Sequence, residues 1–121
     1  MTTIPPVDVQ APAAGALVWA DFRGAEASEQ SGIRPAIVIS MTGYNRRSRR
    51  SIVCPITSNV TPYPTKVLLP DGLAVGGAVL CDQVRALERK DRGFRLIGQA
   101  PPNVLAEVRS RVLELMTDIP E

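Results

Sequence analysis

The stretch from Ser28 to Ser40 reads S-E-Q-S-G-I-R-P-A-I-V-I-S and sets polar side chains directly ahead of an apolar run, Pro35–Ser40. Such a run, rich in Ile and Val, predicts a β-strand. Arg34 stands beside a proline, whose ring restricts the backbone of both residues, so we expect its guanidinium at the mouth of a rigid strand. A planar guanidinium held in this way suits bidentate binding of an anion.

Short apolar runs punctuated by Gly, Pro, Asn and Asp continue along the chain and predict further strands. The predicted strands are Ala16–Phe22, Pro35–Ser40, Ile52–Ile56, Lys66–Leu69, Ala78–Val84 and Phe94–Gly98. We expect a protruding polar connection at Met41–Arg50 and an exposed loop at Asn59–Thr65. After Pro102, apolar residues recur at helical spacing and predict an amphipathic helix. The order predicts a mainly β domain, a strongly bent sheet or partly closed barrel with one C-terminal helix.

Three of these strands carry polar groups at one end, which is how a site is built on a rigid scaffold. The groups are Arg34 before the second strand, Thr57, Ser58 and Asn59 after the third, and Cys81, Asp82 and Gln83 in the fifth. We therefore expect a functional site where these strand ends meet.

At 121 residues the chain has the size of one domain. We divide it into a flexible, proline-rich leader at residues 1–13 and a folded domain at residues 14–121. The leader lacks the basic residues and apolar core of a secretory signal, and no apolar run approaches a membrane span. These features predict a cytoplasmic protein without membrane contact. Two cysteines without a histidine offer no zinc site, so we expect reduced, buried thiols and neither metal nor cofactor.

Charge is distributed unevenly along the chain. Between Gln30 and Pro70 there is no acidic residue but six basic ones, and four of these lie within Arg46–Arg50. A one-signed stretch of this length favours a polyanionic partner, with nucleic acid as the default. The alternative is a solvated charged face without a partner.

The absence of histidine excludes Ser-His-Asp and Cys-His triads and the paired-histidine chemistry of many ribonucleases. RNA cleavage is possible without histidine, because the substrate carries its own nucleophile, the 2′-OH. Catalysis can then rest on holding that hydroxyl in line and on stabilising the charge that develops on phosphate. DNA hydrolysis lacks such an internal nucleophile and fits less well.

Several motifs give the chain a resemblance to the MazF/PemK-like (Kid-like) toxins of type II toxin–antitoxin modules, which are sequence-specific endoribonucleases. The motifs are Gly15-x-Leu17-Val18-Trp19-x-Asp21-Phe22, Ser28-Glu29-Gln30-x-Gly32-x-Arg34-Pro35-Ala36-x-Val38-x-Ser40, Tyr44-Asn45, Cys54-Pro55-Ile56-Thr57-Ser58, Tyr63-Pro64 and Val79-Leu80-Cys81-Asp82-Gln83-Val84-Arg85. The resemblance implies an SH3-like barrel with a C-terminal helix that works as a homodimer. It also implies metal-independent cleavage of single-stranded RNA to 2′,3′-cyclic phosphate and 5′-hydroxyl ends.

The same resemblance implies that Arg34 and Thr57 are the catalytic pair. The alternatives are a structural ion pair of Arg34 with Glu29 or Asp82, and an ordinary strand-end hydrogen bond for Thr57. Glu29 and Gln30 either read base edges or brace Arg34. The full set of residues expected to bind RNA or support the site is Glu29, Gln30, Ser58, Asn59, Asp82, Gln83, Arg85, Arg46, Arg47, Arg49 and Arg50.

Three departures from some relatives leave the general acid and base open. Leu80 stands where those relatives have an arginine, Thr61 where they have a lysine, and Ala27 and Ser28 where they have a histidine. The RNA motif that would be cleaved is equally open.

The expected protein partner is a cognate antitoxin whose acidic, disordered tail covers the basic face. DNA would be reached only indirectly, through a toxin–antitoxin complex. One alternative function is a catalytically inactive RNA-binding or regulatory module of the same fold. Another is a gyrase poison, whose known relatives use a C-terminal Trp-Gly-Ile where this sequence has Asp118–Glu121.

Overall fold

The computed structural model describes residues 10–22, 32–89 and 94–118, and within them the chain forms seven β-strands and two α-helices. Every strand pair in this part is antiparallel. The elements are β1 Ala16–Asp21, β2 Ile33–Val38, α1 Thr42–Ser48, β3 Arg50–Thr57, β4 Lys66–Leu68, β5 Ala78–Leu80, β6 Arg85–Glu88, β7 Arg95–Gln99 and α2 Pro102–Met116. The predicted mainly β fold with a C-terminal helix is confirmed.

The strands follow the order β4-β5-β3-β2-β1-β7, and β6 pairs with the remaining part of β3. Residues 50–53 of β3 pair with β6, whereas Ile56 and Thr57 pair with β5. The partner therefore changes at Cys54 and Pro55. Pro55 has no backbone N–H to donate to a ladder, so it is well placed at such an irregularity. Because β3 pairs with different strands along its length, the sheet bends at this point into the expected small barrel.

Successive side chains of a strand point to opposite faces of the sheet, and each face carries its own apolar cluster. The larger cluster includes Leu17, Ile37, Ile56 and Val79, and it receives the inward residues of α2, which are Val104, Val108 and Val112. The smaller cluster comprises Ala16, Val18, Ala20, Phe22, Ala36, Val38, Val53 and Leu87. Burial of each valine contributes about 1.5–3 kcal/mol of free energy relative to an exposed valine, so these three residues stabilise the packing of α2 against the sheet.

The predicted polar connection at Met41–Arg50 is wrong, because α1 occupies most of it. Local sequence gives little sign of this helix, which is held by long-range contacts. Asn45 is buried, and its Nδ2 donates to the Pro12 carbonyl at 2.9 Å. Ser40 Oγ donates to Asn45 Oδ1 and accepts from the Ile52 N–H at 2.9 Å. These bonds fix both ends of the connection, and Arg49, with φ 59°, reverses the chain into β3.

The predicted strand Ala78–Val84 is also wrong in its second half. Only Ala78–Leu80 is a strand, and Cys81–Gln83 forms a 3₁₀ turn that leads into β6, a strand absent from our prediction. β2 begins at Ile33, so Arg34 lies within the strand rather than ahead of it. Of the predicted leader, residues 1–9 lie outside the described residues, while Pro12 accepts the bond from Asn45.

Both cysteines are free and buried, as the sequence predicted. Burial raises the pKa of the Cys54 thiol to about 12, and the nearby Cys81 and Asp82 add to that rise. Burial likewise raises the pKa of the Cys81 thiol to about 11. Neither thiol is a nucleophile at neutral pH, since only the thiolate attacks. Separately, no helix in the described part of the chain is long and apolar enough to cross a membrane.

Candidate active site

The register of β2 and β3 bears on the relative positions of Arg34 and Thr57. The paired residues run from Val38 opposite Val53 to Ala36 opposite Pro55. The ladder ends at this pair, and continuing its register by two residues would set Arg34 opposite Thr57. Directly opposed residues of an antiparallel pair have Cβ atoms about 4.5–5.5 Å apart, so we expect the two side chains to be neighbours.

The two side chains also share one face of the sheet. Side chains alternate along a strand, so Arg34 has the orientation of Ala36 and Val38, and Thr57 has that of Val53. Ala36, Val38 and Val53 all belong to the smaller apolar cluster. Arg34 and Thr57 are both half-buried, which places a cation and a hydroxyl at the rim of a buried cluster.

The hydroxyl of Thr57 is oriented by the turn that follows it. Thr57 Oγ1 accepts a hydrogen bond from the Asn59 N–H at 3.1 Å, and Asn59 Oδ1 accepts one from the Thr61 N–H at 3.0 Å. Such local side-chain bonds stabilise a specific turn. The bond uses one acceptor position of the hydroxyl, whose O–H is directed elsewhere. Ser58 and Asn59 are both exposed on this turn.

Gly77 packs against the other side of Thr57, ahead of β5. Its φ is +122°, in the region that favours glycine. A Cβ on Gly77 would overlap the Thr57 carbonyl oxygen and lie 3.0 Å from the carbonyl carbon. The backbone of Thr57 is therefore confined by a residue twenty positions away.

Replacing Gly77 by alanine is expected to displace Thr57. If Thr57 has the catalytic role that the resemblance implies, the rate of RNA cleavage should fall by about 10²-fold, since a shift of about 1 Å at a reacting group has that effect. Gly72 is a matched control, because its φ is +92° and a Cβ there would meet no heavy atom within 4 Å. Gly72→Ala carries the backbone strain without the crowding. Activity assays and thermal unfolding of both variants separate the two effects, and equal rates for both would contradict a role for Gly77 in placing Thr57.

The other candidate residues lie at increasing distances along β3 from Thr57. The 3₁₀ turn that carries Asp82 and Gln83 packs against β3, and the Asp82 charge contributes to the raised pKa of Cys54. Arg85 pairs with Val53, four residues from Thr57, which is roughly 13 Å along the strand at about 3.3 Å per residue.

Arg85 is held by an aromatic contact on the face that also carries Arg34 and Thr57. Its guanidinium carbon lies 5.4 Å from the ring centroid of Phe22, which is a cation–π distance. The Phe22 N–H donates to the Gly32 carbonyl at 2.8 Å, which closes the base of the segment 23–31. Glu29 and Gln30 belong to that segment and lie outside the described residues, so their roles remain predictions.

The arginines of α1 and its C-terminal end lie at the opposite end of β3 from Thr57. Arg50 is the first residue of β3, roughly 23 Å along the strand from Thr57. Its Nη2 is 3.8 Å from Glu88 Oε2, an exposed pair of little energetic weight. Arg46, Arg47 and Arg49 are exposed. The structure thus separates these four arginines from the Arg34–Thr57 pair.

We expect these arginines to contact phosphates without reading bases. Neutralising Arg46, Arg47, Arg49 and Arg50 together should weaken binding of single-stranded RNA regardless of its sequence. The log–log salt slope should fall by roughly 0.7 for each lost phosphate contact, because fewer counterions are released. Titrations at several salt concentrations measure this slope. A changed cleavage preference with an unchanged slope would instead assign base recognition to α1.

Comparison with known proteins identifies the family of this chain. The model of the PemK-like, MazF-like toxins of type II toxin–antitoxin systems matches residues 13–116. The chain belongs to this family. It is 34% identical to the endoribonuclease toxin MazF of Escherichia coli (strain K12) over 101 residues, which cover 84% of this chain and 90% of that protein.

Solved structures of the family have the same fold. MazF from Deinococcus radiodurans is 42% identical, with a TM-score of 0.81 over 88% of this chain and 96% of that one. A MazE–MazF structure from the same organism gives 39% identity and a TM-score of 0.77, covering 90% of this chain and 98% of the matched chain. The predicted resemblance to the MazF/PemK family is confirmed.

The sequence alone did not single out two residues near Thr57. Gly77 was not among the candidate residues, and Lys66 was noted only as the first residue of a predicted strand. In the structure Gly77 contacts the Thr57 carbonyl, and Lys66 Nζ donates to two carbonyls of the loop after Thr57. No local pattern signals either role, because both depend on how β3, β4 and β5 pair.

Proposed function

We propose that this MazF/PemK-family toxin is an endoribonuclease that cleaves single-stranded RNA at a short sequence motif, without a metal ion. The observation that supports the proposal is the register of β2 and β3, which pairs Ala36 with Pro55 and, continued by two residues, would set Arg34 opposite Thr57 on one face of the sheet. A cation and a hydroxyl donor at the rim of a buried cluster can bind the same phosphate group. Curated relatives with this fold are named endoribonucleases.

In the proposed reaction the RNA 2′ oxygen attacks the adjacent phosphorus while the bond to the 5′ oxygen breaks. The 2′ hydroxyl loses its proton and the leaving 5′ oxygen gains one, which yields a 2′,3′-cyclic phosphate and a 5′-hydroxyl end. Negative charge builds on the non-bridging phosphate oxygens in the transition state. Arg34 offers a bidentate, permanently charged donor to these oxygens, and Thr57 donates its O–H or orients the 2′-OH.

The pre-set geometry of both groups supports this assignment. Arg34 is in a strand, flanked by Pro35, and the Thr57 hydroxyl is fixed by the Asn59 N–H. Donors that are already in place need no reorganisation when charge develops, which is the main source of electrostatic catalysis. The two protonated thiols offer no competing nucleophile near neutral pH.

The RNA would extend beyond this pair across a basic surface. Arg85 and the arginines around α1 provide positive charge at roughly 13 and 23 Å along β3 from Thr57, enough to follow several nucleotides of an extended strand. This separation suits non-specific phosphate binding away from the scissile bond.

We further propose that the toxin acts as a homodimer in the cytoplasm, because one barrel of 13.0 kDa offers a short RNA-binding surface by itself. Light scattering at micromolar concentration is expected to give about twice 13.0 kDa. A monomeric protein that still cleaves RNA would contradict a site shared by two subunits.

A cognate antitoxin is the proposed protein partner, and a MazE–MazF structure is among the solved relatives. An acidic, disordered antitoxin tail would be attracted to the basic surface and would compete with RNA. Contact with DNA would then occur only through the antitoxin.

Incubating the purified protein with a transcript pool and sequencing the new 5′-hydroxyl ends tests the proposed activity. A short motif common to the cleaved ends is expected. RNA that is bound but never cut would instead identify an inactive RNA-binding module, and arrest of gyrase without RNA cleavage would identify a gyrase poison.

A further inference from the structure

Lys66 is the residue that folds the loop after Thr57 back onto itself. β3 ends at Thr57 and β4 begins at Lys66, so the loop between them connects two strands that lie on either side of β5. The Lys66 N–H donates to the Tyr63 carbonyl at 2.9 Å. Its Nζ reaches across the loop and donates to the Asn59 and Thr61 carbonyls, each at 3.1 Å. The side chain of Lys66 therefore binds the first half of the loop, and its backbone N–H binds the second half.

The same loop residues that Lys66 holds also hold Thr57. Asn59 is fixed through its carbonyl by Lys66 and donates its own N–H to Thr57 Oγ1 at 3.1 Å. Thr61 is fixed through its carbonyl by Lys66 and through its N–H by Asn59 Oδ1. A continuous hydrogen-bonded path thus runs from the ammonium to the hydroxyl oxygen, with Asn59 as the link.

We propose that Lys66 is a positioning residue of the RNA-cleaving site, which acts through Asn59 to hold the Thr57 hydroxyl in its working orientation. The inference rests on the proposed ribonuclease function. An ammonium group has three N–H donors, and two of them are directed at loop carbonyls. The Lys66 ammonium therefore binds mainly the loop carbonyls, whereas Arg34 is the cation proposed to bind the phosphate.

The alternative role for a lysine in this protein is a phosphate contact, and the two roles predict different kinetics. A phosphate contact made equally in the ground and transition states lowers KM and adds to the salt slope. A residue that orients a catalytic hydroxyl instead changes kcat and leaves the salt slope unchanged. The two roles are therefore separable in one set of measurements.

The first test compares Lys66→Met with Lys66→Arg. Methionine keeps the apolar stem and removes the donors, and it should lower kcat about 10- to 100-fold because Thr57 is no longer held. Arginine retains donors for both carbonyls and should remain within about threefold of the parent protein. Arg95→Met, on β7, is the matched control for loss of one cation and should change kcat little. Thermal unfolding of each variant checks the fold, with Lys66→Gln as a second neutral variant.

A double-mutant cycle gives the decisive readout under single-turnover conditions with excess protein. If Lys66 acts through the Thr57 hydroxyl, Lys66→Met should have almost no effect in a Thr57→Val background. An equal effect of Lys66→Met in both backgrounds would overturn the inference. So would a rise in KM with a reduced salt slope and an unchanged kcat, which would identify a phosphate contact.

Failure of the inference is distinguishable from failure of the proposed function. If the parent protein cleaves no RNA, the proposed function fails. If the parent protein cleaves RNA and Lys66→Met does so equally fast, the function stands and Lys66 is not a positioning residue.

Discussion

Replacing Arg34 by alanine is expected to abolish measurable RNA cleavage and, in cells, toxicity. The guanidinium is the charged donor proposed to meet the phosphate oxygens opposite Thr57. Loss of a single pre-organised donor at such a position typically costs ~10²–10³ in rate, and the loss of a full charge in a half-buried site makes Arg34 the largest single contribution we expect. Single-turnover cleavage of a labelled RNA measures the effect over this range.

Lysine at position 34 should fail to restore activity. An ammonium group carries the same charge but lacks the planar fork that binds two oxygens at once. Thr57→Val, which preserves shape and removes the hydroxyl, should lower the rate by a comparable ~10²–10³-fold. Circular dichroism and thermal unfolding of each variant serve as the control for folding. Full activity in a correctly folded Arg34→Ala protein would remove Arg34 from the mechanism.

The pairing that underlies this prediction was partly accessible from the sequence. Apolar runs punctuated by Gly and Pro located β1, β2, β3, β4 and β7 to within a few residues, because strand formation there follows the local pattern. The polar residues at the strand ends were identified in the same way. What the pattern could not provide is register, and the pairing of Ala36 with Pro55 is the observation from which we infer that Arg34 lies opposite Thr57.

The secondary-structure predictions were wrong where contacts between residues far apart in the sequence outweigh the local secondary-structure preference. α1 contains Gly43 and several polar residues and looks like a loop, yet the buried Asn45 and its bond to Pro12 stabilise a helix. β6 was missed because it is a strand of four residues with one buried side chain, Leu87, and forms by pairing with the first half of β3.

The residues that position Thr57 show the same limit of sequence-based prediction at the candidate site itself. Thr57 was identified from its motif, but the neighbours that place it are Asn59 two residues on, Lys66 at the start of the next strand and Gly77 ahead of β5. Each of these is an ordinary residue by its local sequence. Their contacts follow from the way β3, β4 and β5 meet, so we expect a substitution at Lys66 or Gly77 to change the rate of cleavage by displacing Thr57.

Removing the 2′ hydroxyl from the substrate should block the reaction completely while leaving the protein intact. In the proposed reaction this hydroxyl is the nucleophile, while Arg34 binds the phosphate beside it and Thr57 binds that phosphate or orients the hydroxyl. An RNA with one 2′-deoxyribose at the cleaved position should therefore bind with nearly the same affinity and remain uncut. Binding titrations and end-labelled cleavage assays on the matched all-ribose and single-deoxy strands measure the two quantities separately.

The position of the deoxy sugar supplies the control. A deoxyribose one nucleotide away keeps the nucleophile and should be cleaved at close to the normal rate, so only the sugar 5′ to the scissile phosphate should matter. Chelators should not change the rate on the all-ribose strand, because a cation and a hydroxyl are proposed to carry the phosphate charge. If the strand with deoxyribose at the cleaved position is cut, the attacking oxygen comes from water. That result would rule out attack by the 2′ oxygen, and with it the roles proposed for Arg34 and Thr57 beside that oxygen.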